Sequence, residues 1–319
     1  MLLVVCSPVI CQSTKDNPPK TPQDKPGKQS SEKGPQKAPD DVKVDPVFFD
    51  LKEMLYFDKK LKECVKEIPE SYKLRSESLR NNPELKSSGL LTEGHERIAE
   101  AASLVQNGDP KKAEKSLESI TDEKLKQGID YWMVLAYAKQ QAGDLVGARN
   151  SMRQIFTLPQ VETGIRLLTW NLLRELGDKP EEPIANEVLG VVVEVGMANT
   201  VAVVAGFADG MSRLWFVTGG GGTIGGVDSF PKETVIAAKD LVRAGQPLVG
   251  EFPLEKERQL PKQGRIRFAL LTAGGIHVKE ESIDLLEKGR SPLLYSVNSA
   301  AHKLFTLLLK FNFEKSKVQ

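Results

Sequence analysis

Three glycines in the run VTGGGGTIGG have a spacing that could bind a nucleotide. Gly220, Gly222 and Gly225 match G-x-G-x-x-G, a pattern whose backbone closes around a dinucleotide pyrophosphate. That chemistry requires the glycines to begin a helix inside a parallel βαβ unit, because the helix N-terminus holds the phosphates. Here residues 187–218 predict an antiparallel meander, and the next helix is predicted from about residue 232. No G-K-[ST] follows, so we expect a glycine-rich connection rather than a nucleotide site.

The same run offers a second kind of site. Backbone N–H groups that are free of partners, close to the start of the following helix, can hold a carboxylate or another small anion. The residues concerned are Gly220, Gly222, Thr223 and Gly225. A small-ligand or anion sensor that uses this loop is therefore the alternative function.

Other chemistry-bearing residues are few and scattered. The three histidines are His95, His277 and His302, and no two have the spacing of metal ligands. Cys64 is predicted to be an inert helix residue, and His277 a solvent-facing strand residue. No G-x-S-x-G elbow is present. We therefore expect no metal, no cofactor and no enzymatic activity; a hydrolase or transferase with dispersed catalytic residues is a further alternative.

The first 44 residues predict no globular structure. Residues 1–12 contain an apolar stretch, Leu2–Ile10, which resembles a truncated export signal. There are two alternatives to an export signal: a lipid anchor on Cys6 or Cys11, or a hydrophobic N-terminus without a function. Residues 13–44 are rich in Pro and Lys and predict a disordered linker. This layout slightly favours an exported or envelope-associated protein over a cytoplasmic one.

Composition excludes two classes of partner. The formal net charge of the 319 residues is +1, so no overall field attracts the chain to nucleic acid. No apolar run approaches the roughly 18 residues of a transmembrane helix. A local basic patch is left open, and the expected partner is a protein whose identity the sequence does not give.

A helical region is predicted over residues 45–183. Apolar spacing predicts a first helix at about 47–67, followed by a polar, weakly patterned stretch. Further along, Gly-Asp pairs recur 35 and then 34 residues apart, and small alanines occur where paired helices must cross closely. The pairs are Gly108-Asp109, Gly143-Asp144 and Gly177-Asp178. This period predicts stacked helical hairpins.

Residues 91–178 resemble about two and a half tetratricopeptide repeats. In the second unit the matching residues are Trp132, Leu135, Ala136, Gly143, Asp144 and Ala148. The resemblance implies a concave groove, lined by the first helix of each pair, that binds peptides or protein surfaces. Carried onto the second unit, the groove positions are Asp130, Met133, Tyr137 and Gln140. The alternative is that these residues pack against the first helix or the C-terminal domain.

Residues 184–319 change to a strand pattern. The order of predicted elements is β-β-β-α-β-β-α. Asp228 or Ser229 is the predicted N-cap of the helix that begins at about residue 232. The fold class is therefore α+β with two domains: N-terminal helical hairpins, then a five-stranded, mainly antiparallel sheet with helices on one face. In outline this layout is similar to roadblock or profilin-like modules in permuted order.

Residues 187–310 resemble, more specifically, a domain of bacterial proteins whose activity is undefined. The segments that carry the resemblance are the A-D-G turn at 208–210, the glycine run, RIRFALLT and GRSPLLYS. It implies a shape rather than a chemistry. Together these features predict a non-enzymatic scaffold protein that binds other proteins, with homodimerisation through the α+β domain as an option.

Overall fold

Helices come first along the chain and strands second. The computed structural model describes residues 56–81, 93–217, 222–225, 229–255 and 259–316, all within one compact unit, residues 39–319. The predicted signal and linker, residues 1–12 and 13–44, lie outside the described residues. The first helices are α1 (Leu61–Asn81), α2 (Glu93–Gln106), α3 (Pro110–Glu118), α4 (Glu123–Lys126), α5 (Ile129–Gln141), α6 (Leu145–Gln154), α7 (Thr163–Glu175) and α8 (Glu182–Ala185).

The recurring Gly-Asp pairs end the first helix of each hairpin. Gly108, Gly143 and Gly177 have φ values of 86°, 85° and 79°, a left-handed backbone that favours glycine. At each turn the aspartate N–H donates to a carbonyl five residues back, and the glycine N–H donates to one three residues back. These two hydrogen bonds satisfy carbonyl groups in the last turn of the helix. The 34- to 35-residue period thus has a local cause, and the hairpins α2–α3 and α5–α6 pack as predicted.

Helix α1 extends further along the chain than the sequence pattern predicts. A helix was expected over about 47–67; residues 47–55 lie outside the described residues, Tyr56 is helical, residues 57–60 are not, and α1 runs from Leu61 to Asn81. Its start is fixed by Glu63, whose carboxylate accepts a hydrogen bond from the Lys60 N–H (3.0 Å). The polar second half is helical because tertiary packing, rather than propensity, stabilises most helices in proteins.

The sheet contains the five predicted strands and one more. The later elements are β1 (Val188–Gly196), β2 (Val201–Phe207), β3 (Ser212–Phe216), β4 (Gly222–Gly225), α9 (Lys232–Gly245), β5 (Arg265–Thr272), β6 (Gly275–Ser282), α10 (Ile283–Glu287) and α11 (Pro292–Ser316). The strand order is β4-β3-β2-β1-β5-β6, and every neighbouring pair is antiparallel. The additional strand, β4, falls inside the glycine run. The α+β fold with helices before the sheet is confirmed.

Both faces of the sheet are covered. Val191 and Val193 of β1 point to a core formed with α9 and α11, as predicted. Alternate residues such as Val192 and Leu271 point the other way, into a second core that includes Leu167 of α7 and Tyr56. The helical array therefore does not lie apart from the sheet, because its last helix packs against the second sheet face.

The A-D-G turn joins the two halves through a reciprocal pair of hydrogen bonds. The Asp209 carboxylate accepts from the Thr163 N–H (2.9 Å) at the start of α7, and the Thr163 hydroxyl accepts from the Asp209 N–H (3.2 Å). The same carboxylate also accepts from the Met211 N–H (2.9 Å). The N-cap residue of α7, Glu162, makes no side-chain hydrogen bond to the helix. Asp209 thus supplies the acceptor at the N-terminus of α7.

We predict that Asp209→Ala destabilises the fold. The loss of the acceptor at the start of α7 is expected to lower the free energy of unfolding by about 1–2 kcal/mol, the usual cost of removing a helix cap. Asp284→Ala, which removes an exposed carboxylate from α10, is the control and should change it by less than about 0.5 kcal/mol. Urea unfolding followed by circular dichroism measures both; equal effects would contradict the assigned role.

Candidate functional site

Helix α1 lies across the first helices of the helical array. It packs against α2 and α5, which are the first helices of the two complete hairpins. At its start it also reaches α7, where the Glu175 carboxylate accepts from the Leu61 N–H (3.0 Å) and the Asn171 amide donates to the Lys59 carbonyl (3.1 Å). The surface formed by α2, α5 and the end of α7, hereafter the groove, is therefore occupied by a helix of the same chain.

One face of α1 is apolar and buried in the groove. Leu61, Val65, Ile68 and Tyr72 are between 0% and 8% exposed, and their spacing of i, i+4, i+7 and i+11 places them on a single stripe. Burial of one such side chain contributes about 1.5–3 kcal/mol. The opposite face, which includes Lys66 and Glu67, is exposed. The groove thus holds α1 mainly by its apolar stripe.

Polar contacts fix the position of α1 along the groove. The Tyr72 hydroxyl donates to the Asp130 carboxylate (2.9 Å), and the Gln106 amide donates to the Val65 carbonyl (3.2 Å). Burial, together with the nearby Asp130 charge, raises the pKa of the Tyr72 hydroxyl far above its ordinary value, so this group remains a donor. The Arg75 guanidinium lies 5.3 Å from the centre of the Tyr72 ring.

The four predicted groove residues contact the chain itself. Met133 and Tyr137 are 5% and 6% exposed and belong to the same core as the α1 stripe. Asp130 accepts the Tyr72 hydroxyl, and Gln140 is half-buried. Of the four, Asp130 therefore contacts the first helix directly, in line with the alternative that the sequence left open, and Met133 and Tyr137 share its core. The use of these residues by a partner stays a prediction.

Cys64 lies on α1 beside the buried stripe. Its free thiol is half-buried and packs against the helical core. Burial raises the pKa of the Cys64 thiol to about 12. Because the thiolate is the reactive form, this cysteine is held in its unreactive state at neutral pH.

The glycine run is partly a strand. Gly222, Thr223 and Gly225 belong to β4 and pair with β3, with Thr223 opposite Leu214; Gly220 lies outside the described residues. Helix α9 begins at Lys232 with Pro231 as its N-cap, so Ser229 is not the cap. Asp228 lies outside the described residues. The strand was missed because glycine is disfavoured in strands and hides their pattern.

A cleft at the β6 side of the sheet was not predicted. Its volume is about 470 Å³. Its lining residues are Asn186, Gln246, Val249, Gly250, Phe252, Leu254 and His277. The Nδ1 atom of His277 lies 3.0 Å from the Phe252 carbonyl oxygen, and since a carbonyl only accepts, Nδ1 carries the proton. His277 is half-buried rather than solvent-facing, because the 252–255 segment pairs with β6 beside it.

Charged side chains also lie between the sheet and the helical half. The Tyr56 hydroxyl donates to Glu194 (2.8 Å), and Arg267 forms ion pairs with Glu194 and Glu255. The Arg213 guanidinium stacks near the Phe57 and Phe207 rings; burial lowers its pKa to about 10, while Asp209 and Glu162 act in the opposite direction. These contacts fix Tyr56 and Phe57 on the sheet.

In the part of the chain that the structure describes, no cluster of three or more His, Cys, Asp or Glu side chains is placed to hold a metal ion. Within the same residues, no helix combines the length and the apolar character that a membrane crossing requires.

Comparison with protein-family models, with curated proteins and with solved structures finds no match for this chain. The resemblances to tetratricopeptide repeats and to a bacterial domain therefore stay predictions.

We predict that Tyr72→Phe weakens the contact between α1 and the groove. Loss of a hydrogen bond to a charged acceptor is expected to lower the free energy of unfolding by about 1.5–3 kcal/mol. Tyr295→Phe removes a hydroxyl from a side chain that is 69% exposed and serves as the matched control, with no measurable change. Urea midpoints of the two variants test this; a similar shift in both would refute it.

Proposed function

We propose that this chain is a non-enzymatic scaffold protein, and that the groove binds an amphipathic helix of a partner protein. The observation that carries the proposal is the helix already present there. An apolar stripe of four side chains, with hydrogen bonds at both ends, holds α1 against α2, α5 and α7. This is the helix-in-groove mode of peptide recognition, in which residues at i, i+3, i+4 and i+7 anchor a helix.

The side chains of the groove suit a helix rather than an extended peptide. A strand-like peptide needs a row of backbone donors and acceptors, as at a sheet edge. In the groove the stripe makes apolar contacts, and a helix satisfies most of its backbone groups by itself. Two groove side chains bond to α1 beyond its first residue, and each contacts a single position on it: Gln106 bonds to Val65 and Asp130 bonds to Tyr72. A partner helix with the same stripe would meet the same surface.

The connection to the sheet supports a scaffold role. Helix α7 contributes Glu175 and Asn171 to the groove, and contributes Leu167 to the core beneath the sheet. Asp209 caps the start of the same helix. A partner bound in the groove would therefore be held at a defined position relative to the α+β half, which is what a scaffold requires.

The proposal predicts that the groove binds a helical peptide in trans once α1 is released. Val65→Asp in the full chain places a carboxylate in the stripe and should expel α1, because an unpaired buried charge is strongly unfavourable. A fluorescent peptide with the sequence of residues 58–81 should then bind saturably, one peptide per chain, with Kd on the order of micromolar, measured by anisotropy.

Controls separate binding from unfolding. Lys66→Asp, on the exposed face of α1, should leave the groove occupied and bind no more peptide than the wild type. A peptide that itself carries Val65→Asp should not bind. Circular dichroism confirms that the protein is folded, and the milder Ile68→Ser replaces Val65→Asp if it is not. If a variant is folded, has released α1 and still does not bind the peptide, the proposed function is contradicted.

A further inference from the structure

Helix α1 contains a proline at a position where a helix is weakened. Pro69 is the ninth residue of α1 and lacks the N–H that would donate to the carbonyl of Val65, four residues earlier. That carbonyl instead accepts the Gln106 amide of α2 (3.2 Å). A side chain of the groove therefore replaces the hydrogen bond that α1 cannot make for itself. Outside the groove, α1 would have neither this bond nor its buried stripe.

The chain just before α1 is held independently of the groove. Tyr56 is bonded to Glu194, and the Phe57 ring packs edge-on against Phe207 with ring centres 5.6 Å apart. The Phe57 ring also lies so close to α7 that a Cβ on Gly164 would be only 2.5 Å from it. These contacts do not involve the α1 stripe, so α1 can leave the groove while its N-terminal attachment to the sheet persists.

From these observations we propose that α1 is an intramolecular competitor for the groove, and that a partner helix binds by displacing it. This inference rests on the proposed function. The partner is an uninterrupted amphipathic helix with apolar side chains at i, i+4 and i+7 and a hydroxyl donor at i+11 opposite Asp130. Because such a helix satisfies its own backbone without help from Gln106, it competes effectively with α1, whose interior proline prevents this.

Tethering sets the strength of the competition. A helix joined to its own binding site acts at an effective concentration in the millimolar range. The apparent affinity of an external helix is reduced by the fraction of molecules in which the groove is free. Wild-type protein should therefore bind the external peptide at least about tenfold more weakly than the Val65→Asp variant. A peptide in which Pro69→Ala restores the helix should bind more tightly than the native sequence.

Cys64 reports the displacement directly. In full-length protein with Cys6→Ser and Cys11→Ser, Cys64 is the only thiol, since the chain has three cysteines. The probe is a peptide of residues 58–81 that carries Pro69→Ala and Cys64→Ser. As the peptide is added, the rate of Cys64 alkylation by N-ethylmaleimide should rise by at least about tenfold and saturate, because the exposed thiol forms thiolate more readily.

Matched controls isolate the movement of α1. A peptide with Ile68→Asp should leave the Cys64 rate unchanged. A protein with Cys64→Ser and Lys66→Cys carries its thiol on the exposed face of α1, and should react at the same rate with and without peptide.

Three results would overturn the competition. The first is binding of peptide to the wild type without faster Cys64 alkylation, which would make α1 a fixed part of the fold. The second is equal affinity for the wild type and for Val65→Asp. The third is a doubled mass of the wild type in light scattering that returns to the single mass in Val65→Asp, which would show that α1 exchanges between two copies of the chain. In the first two cases the groove still binds helices and the proposed function survives, whereas it fails if released variants bind no peptide.

Discussion

Burial of β1 on both faces is the constraint on which the rest of the structure depends. The strand VLGVVVEVG lies in the middle of the sheet between β2 and β5, and eight of its nine residues are buried. One amphipathic layer cannot cover both faces, because side chains alternate along a strand. Helices α9 and α11 cover one face. The other face needs a second layer, which α7 and the Tyr56–Phe57 segment supply, so that the helical array is attached to the sheet.

Commitment of α7 to the sheet determines how the array ends. Successive units in a helical array normally bury one another's exposed stripes, and a terminal unit needs a cap. At its C-terminal side this array is capped by the sheet. Across its groove it is covered by α1, whose charged outer face meets solvent. Two different surfaces thus complete an array of only two full hairpins, which is too few to bury its apolar stripes alone.

The sequence predicts features that have local causes. The Gly-Asp turns were predicted because a left-handed residue at a helix end strongly favours glycine, and the strands because β-branched runs are separated by turn residues. Features that depend on distant residues were missed. The extent of α1 depends on the groove, and the half-buried position of His277 depends on the 252–255 segment. The hydrogen bond between Tyr72 and Asp130 could not be predicted from the sequence, because 58 residues separate them. Packing of the groove positions against the first helix was one of two alternatives, and the sequence offered no way to choose between them.

Helix α7 contributes both to the groove and to the core beneath the sheet, and this limits how the chain can be divided. If the chain were cut between α8 and β1, the first part would expose Leu167 to water, and the second part would expose Val192 and Leu271. Each fragment would expose an apolar patch, and both would be prone to aggregation. Transfer of either half alone into another protein would therefore require a new layer that buries these side chains. A gene that encodes one half is expected to encode the other as well.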